Sequence, residues 1–100
     1  MPIIRIDYNL KKIDTPGIET ISIAIQNIVS TATGIADVFV YAQSTEIQIN
    51  TAPIEIFIEM SREKIVNADD LIKEIKNLLI VWKEENNFTT PINLTLIPMD

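Results

Sequence analysis

Two proline-led runs with strand patterning, Pro2 to Tyr8 and Pro53 to Met60, stand 51 residues apart in a chain of 100. Each is followed by a polar turn, a stretch of helical periodicity and a further strand-like run. The chain therefore reads as two similar β-α-β halves, about 2–50 and 53–100. Two amphipathic helices and four short strands leave few ways to bury every apolar stripe. The simplest is one mixed sheet with both helices on one face, an α+β fold in a single domain spanning 1–100.

Along the first half, Ile4 and Ile6 alternate with Arg5 and Asp7, as in a strand with one dry face. Asn9 to Lys12 makes a polar connection. Thr15 is the expected N-cap of the first helix, with Pro16 at its first position. Ile18, Ile21, Ile25, Ile28, Val29 and Ala32 then recur at three- and four-residue spacing, and Gly34 is a natural stop. A second strand is expected over 37–43, continuing or bending into the alternating run Glu46 to Asn50. The third covers about 53–60. Asn67 is the expected cap of the second helix, with Asp69 and Asp70 in its first turn, where the helix dipole favours anions. Leu71, Ile72, Ile75, Leu78, Leu79 and Trp82 form its buried face, and Lys73, Lys76 and Lys83 its outer one. Asn86 and Asn87 end it, and Pro91 to Ile97 reads as the last strand. The sheet face away from the helices then carries Arg5, Asp7, Glu55, Glu59, Asn93 and Thr95, and, depending on register, Phe39, Tyr41 and Phe57 lie among them. Such a mixed face suits water and neighbouring subunits better than a second core.

Composition narrows the chemistry. One hundred residues bury roughly two-thirds of the surface that the unfolded chain exposes. With 47% hydrophobic residues the chain is too apolar to be disordered, and apolar enough that subunit contacts are expected. Eight basic against fourteen acidic residues give a net charge of −6. That balance argues against nucleic-acid and anionic-membrane partners, both of which need clustered Lys and Arg. There is no Cys and no His. Disulfides, thiolate catalysis, the commonest metal ligand and the usual general base are thus absent together, and no metal or cofactor is expected. The first residues alternate polar and apolar, unlike a signal peptide, and no apolar stretch is long enough to span a bilayer. A cytoplasmic location is the expectation.

Met1-Pro2-Ile3-Ile4-Arg5-Ile6, the helix end Ala32-Thr33-Gly34 and the stretch from Pro53 to Leu79, in this order on a duplicated β-α-β chain, resemble the tautomerase superfamily. The resemblance is to its single-chain branches, the macrophage migration inhibitory factor and 5-carboxymethyl-2-hydroxymuconate isomerase types. It covers essentially the whole chain as architecture. It implies a homotrimer around a central channel, with active sites near subunit boundaries and the proline nitrogen as general base in keto–enol isomerisation of a small acidic or aromatic carbonyl compound. The chemistry suits the residues available. With Met1 removed, Pro2 becomes a secondary amine; an α-amino group ordinarily has a pKa of about 7.7–8.0, and burial or a nearby cation favours its neutral form. Arg62, Arg5, Tyr41 and Lys64 are the candidate substrate-binding residues, Arg62 first because it follows the third strand, a region that supplies such contacts in some members of the superfamily it resembles. The sequence departs from the cytokine-like members after the first helix: Ile35 follows Gly34 where they carry a substrate-binding Lys. With Met1 retained, the Pro2 nitrogen is an amide without basicity.

Each of these residues has a plainer reading. Pro2 can simply begin an edge strand, where its missing N–H is harmless, and Pro53, being internal, is structural. Arg5 and Asp7 are favoured as a cross-strand pair, and Arg62 with Lys64 as a charged turn. Glu55 and Glu59 suit a polar face toward a wet channel better than an acid pair or a cation site. Tyr41 can be a packing aromatic, and Trp82 reads as core or interface. The same element order also describes a non-catalytic, ferredoxin-like binding or assembly module, distinguishable by oligomeric state.

Overall fold

In the computed structural model, which describes residues 1–100, the chain runs β1 (Ile3–Tyr8), α1 (Thr15–Thr33), β2 (Phe39–Ser44), β3 (Ile54–Ser61), a 3₁₀ turn (Arg62–Lys64), α2 (Ala68–Glu85) and β4 (Ile92–Met99). The strands form one sheet in the order β2-β1-β3-β4. Within each half the strands pair in parallel, β1 with β2 and β3 with β4; the halves meet through the antiparallel pair of β1 and β3. The adjacency of strands within each half separates this sheet from the split β-α-β arrangement of the ferredoxin-like alternative. Both helices lie on one face. No helix is long and apolar enough to cross a membrane.

The core lies between that face and the helices. Ile4, Ile6, Ile54, Ile56 and Ile58 are fully buried from the strands; Ile21, Ile25, Val29 and Ile75 are fully buried from the helices. Each such side chain contributes about 1.5–3 kcal/mol relative to exposure, which offsets the modest helix propensity of an isoleucine-rich α1. Leu71, Ile72, Leu78 and Trp82 pack partly buried around this cluster, and Trp82 meets the Phe88 ring at 5.3 Å between centroids.

Alternation also constrains the repeat. The buried positions Pro2, Ile4 and Ile6 are even-numbered, as are Ile54, Ile56 and Ile58. Residues 51 apart fall on opposite sheet faces, so Pro53 does not occupy the structural place of Pro2. The core faces superpose only at an even offset, which matches Pro2, Ile4 and Ile6 with the isoleucines at even positions of β3.

Several boundaries differ from the sequence expectation. Asp14, not Thr15, caps α1, its carboxylate accepting from Gly17 N at 2.9 Å, so Thr15 opens the helix and Pro16 comes second. At the other end Gly34 adopts φ 71° and donates its N–H to Ser30 O at 2.9 Å. The Asn67 side chain accepts from Asp70 N at 3.1 Å, as expected of the α2 cap. The segment Glu46 to Asn50 belongs to no strand, despite its alternation. The last backbone bond on that side runs from Thr45 N to Tyr8 O at 2.7 Å. Beyond it β1 has turned toward α1 and there is no neighbour left to pair with. Ile47 and Ile49 are consequently 77% and 78% exposed. β4 extends through Pro98, a residue that an edge strand tolerates.

Candidate active site

The face of the sheet away from the helices is set by register. Residues directly opposite one another share a face, so the pairing yields three rows across the four strands. Phe39, Ile3, Glu59 and Ile97 form the first row, Tyr41, Arg5, Phe57 and Thr95 the second, and Gln43, Asp7, Glu55 and Asn93 the third. The mixed face expected from the sequence is thus present.

Its polar groups differ in how firmly they are held. Glu55 accepts from Ala52 N and from Asn93 Nδ2, both at 2.8 Å, which occupies both of its oxygens. Asp7 accepts from Gln43 Nε2 at 2.9 Å and lies 3.8 Å from Arg5 Nε. The guanidinium carbon of Arg5 lies 4.5 Å from the centroid of the Phe57 ring, an orientation that leaves its N–H donors without a hydrogen-bond acceptor in the chain. Glu59, two residues beyond Phe57, has no polar partner at all. Glu55 and Glu59 therefore do not act as a pair: one is a structural acceptor and the other is free.

Pro2 precedes β1 at the end of the sheet where β3 and β4 finish. It is fully buried, and its carbonyl accepts from Phe39 N at 3.1 Å, which ties the chain start to β2. Met1, by contrast, is 64% exposed. An open cleft of about 250 Å³ at this end is lined by Met1, Ile3, Glu59, Met60, Ser61, Met99 and Asp100. Arg62 lies at its rim, with Nε donating to Asp100 Oδ1 at 2.9 Å between two well-exposed side chains. A second cleft, of about 390 Å³, is lined by Ile3, Arg5, Tyr41, Ala42, Gln43 and Glu59. The two share Ile3 and Glu59, so they adjoin.

Of the residues singled out in the sequence, Arg5 and Tyr41 meet in one cleft, and Arg62 stands beside the cleft next to Pro2. Lys64 does not join them. It lines a separate cleft between the end of α1 and the start of α2, with Thr33, Asn67, Asp70 and Glu74. Ile3 and Glu59 are common to both open-face clefts, and Glu59 was read from the sequence as part of a polar face and not as a substrate-binding residue. Its alternation was visible, but its position opposite Ile3 exists only once β1 and β3 pair.

Neither a scan of protein-family models nor a sequence search of curated proteins yields a match. Solved structures do match along nearly the whole chain. A malonate semialdehyde decarboxylase, solved as wild type, as a mutant with its first-position proline changed to alanine and in an inactivated form, superposes with a TM-score of 0.71 at 13% identity, covering 98% of this chain and 84% of that one. A domain of unknown function from Sebaldella termitidis gives 0.66 at 10% identity, covering 100% and 90%. A macrophage migration inhibitory factor-like protein from Entamoeba histolytica gives 0.61 at 15% identity, covering 98% and 88%. At these identities the likeness is one of backbone, and it shows that the chain has a tautomerase-like fold.

Proposed function

We propose that the protein, once Met1 is removed, is a cofactor-free tautomerase that isomerises a small acidic or aromatic carbonyl compound, with the Pro2 nitrogen as general base. The observation that carries this reading is the place of Pro2: buried at the start of a central strand, under an exposed Met1, beside a cleft that holds an unpaired carboxylate and has an arginine at its rim. In the reaction the Pro2 nitrogen takes a proton from the carbon next to the substrate carbonyl, and the electron pair moves onto the carbonyl oxygen. Return of that proton to the other end of the enolate gives the second tautomer. The developing oxyanion needs a cation or N–H donor in place beforehand. Arg62, held only by an exposed pair with Asp100, is free to turn to it; Arg5 and Tyr41 in the adjoining cleft would orient the rest of the substrate. Lys64, in its separate cleft, has no part in this reading.

A homotrimer fits the same reading. The open sheet face exposes Phe39 and Tyr41, and the segment after β2 exposes Ile47 and Ile49. Assembly would remove this apolar surface from water and close the clefts at the subunit boundary.

The test joins mass and rate. Protein lacking the mass of Met1 should ketonise the enol of an arylpyruvate, and Pro2→Ala should lower kcat/KM about 100-fold or more while the chain stays folded by circular dichroism. A processed trimer inert toward such enols, or a chain that keeps Met1 in its native host, would sink the catalytic reading. The fold would then serve binding or assembly.

A further inference from the structure

A second feature lies at α2 and the outer edge strand β4. Two adjoining clefts flank the last turns of α2, one against the loop that follows the helix and one against β4. One, of about 470 Å³, is lined by Ile80, Lys83, Glu84, Asn87, Phe88 and Thr89. The other, of about 250 Å³, is lined by Lys76, Leu79, Ile80, Lys83, Ile92, Asn93 and Leu94. They share Ile80 and Lys83, so together they form one groove. Lys76, Ile80, Lys83 and Asn87 follow one another at four- and three-residue spacing, which places them in a single stripe along the helix.

The groove is apolar on its floor and cationic on its rim. Leu79 and Leu94 belong to the core cluster, and Phe88 and Ile92 pack against it, whereas Ile80 is 53% exposed. The sequence predicted Lys83 as an outer, solvated residue; it is half-buried, and its ammonium donates to Thr90 O at 3.1 Å. That bond holds the side chain in place and leaves two of its three donors uncommitted. Lys76 has no partner in the chain and stands roughly 10 Å away along the helix axis. Glu84 is the only acidic residue in either lining. In a chain of net charge −6 with eight basic residues, a two-lysine rim is a local reversal of sign, and such a rim selects an anion by contact, since the field of the whole molecule repels it.

We propose that this groove binds a small amphipathic carboxylate. Its aliphatic part lies over Leu79, Ile80, Ile92 and Leu94, and its carboxylate pairs with Lys83, reinforced by Lys76. The site is separate from the Pro2 end, shares no lining residue with the clefts there, and does not depend on the tautomerase reading.

The probe is octanoate, below the concentration at which it forms micelles, followed by amide chemical shifts of the intact protein, with 1-octanol and octylammonium as isosteres. Saturable shifts confined to 76–94 are expected, with at least fivefold weaker binding for octanol and weaker still for octylammonium. Lys76→Gln with Lys83→Gln should erase the preference for octanoate over octanol. Because loss of the bond to Thr90 could perturb the helix end, Ile80→Glu serves as the second variant: it keeps both lysines and should abolish octanoate binding at an unchanged unfolding temperature. Absence of saturable shifts, equal affinity for octanoate and octanol, shifts centred on the open sheet face, or light scattering and shifts that place a second copy over 76–94 would each overturn the proposal.

Discussion

Arg5 and Phe57 are cross-strand partners in the antiparallel pair that joins the two halves, and the guanidinium carbon lies 4.5 Å from the centroid of the ring. The contact sits on the open face, between the buried pairs Ile4 with Ile58 and Ile6 with Ile56 in the register. It fixes the direction of the one cation in the centre of that face. A cation over an aromatic ring at a partly exposed site contributes about 0.5–1 kcal/mol. A double-mutant cycle of Arg5→Ala and Phe57→Leu, followed by urea unfolding, should therefore return a coupling energy of that order. A coupling near zero would mean that the two side chains are neighbours without interaction.

The helix cap offers a sharper choice. Asp14 accepts from Gly17 N, and Thr15 makes no capping bond. Asp14→Ala is expected to cost about 1 kcal/mol. Thr15→Ala should change stability by a few tenths of a kcal/mol at most. Equal effects at both positions, measured by chemical denaturation, would refute the assignment.

In the core, Ile56 is fully buried in a central strand, between Ile6 and Leu94 in the pairing register. Ile56→Ala should destabilise by about 2–5 kcal/mol and Ile56→Val by about 0.5–1.5 kcal/mol. On a domain of this length the larger loss is a substantial part of total stability. Calorimetry should show a lower Tm with cooperative unfolding retained for the valine variant.

Catalysis by Pro2 requires a free nitrogen. A single non-cleavable residue fixed ahead of Pro2 should abolish enol ketonisation, by about 100-fold or more, and leave the unfolding temperature within a degree or two. The exposure of Met1 leaves room for the added residue. Retained activity in that variant, with its mass verified, would assign the proton transfer to another group.

Assembly is addressed by the segment that follows β2. Ile47 and Ile49 are both more than three-quarters exposed. Replacing both by Lys removes no buried contact, so the single chain should remain as stable as before. The proposed trimer should give way to a monomer in the double variant, read by light scattering. A trimer unaffected by the two charges would place the interface elsewhere.

Hydrophobic periodicity carried most of the architecture. Ile4 and Ile6, Ile18, Ile21, Ile25 and Ile28 of α1, and Ile75 with Leu79 declared their buried faces because spacing alone decides which side chains share a side of a helix or strand. Gly34 and Asn67 marked helix ends by local backbone chemistry. What spacing cannot supply is the neighbour. Glu46 to Asn50 alternates as well as any strand here, yet lies unpaired, because β1 bends away after Tyr8 and its other edge belongs to β3. The repeat of Pro2 at Pro53 was visible in the residues, but only sheet facing reveals that an odd offset puts the two on opposite sides. The candidate site followed the same division. Pro2, Arg5, Tyr41 and Arg62 could be picked by residue type. That Glu59 links two clefts, that Lys64 stands apart from them and that Lys83 turns inward depended on register and helix placement, which are properties of long-range contacts and not of any local stretch of chain.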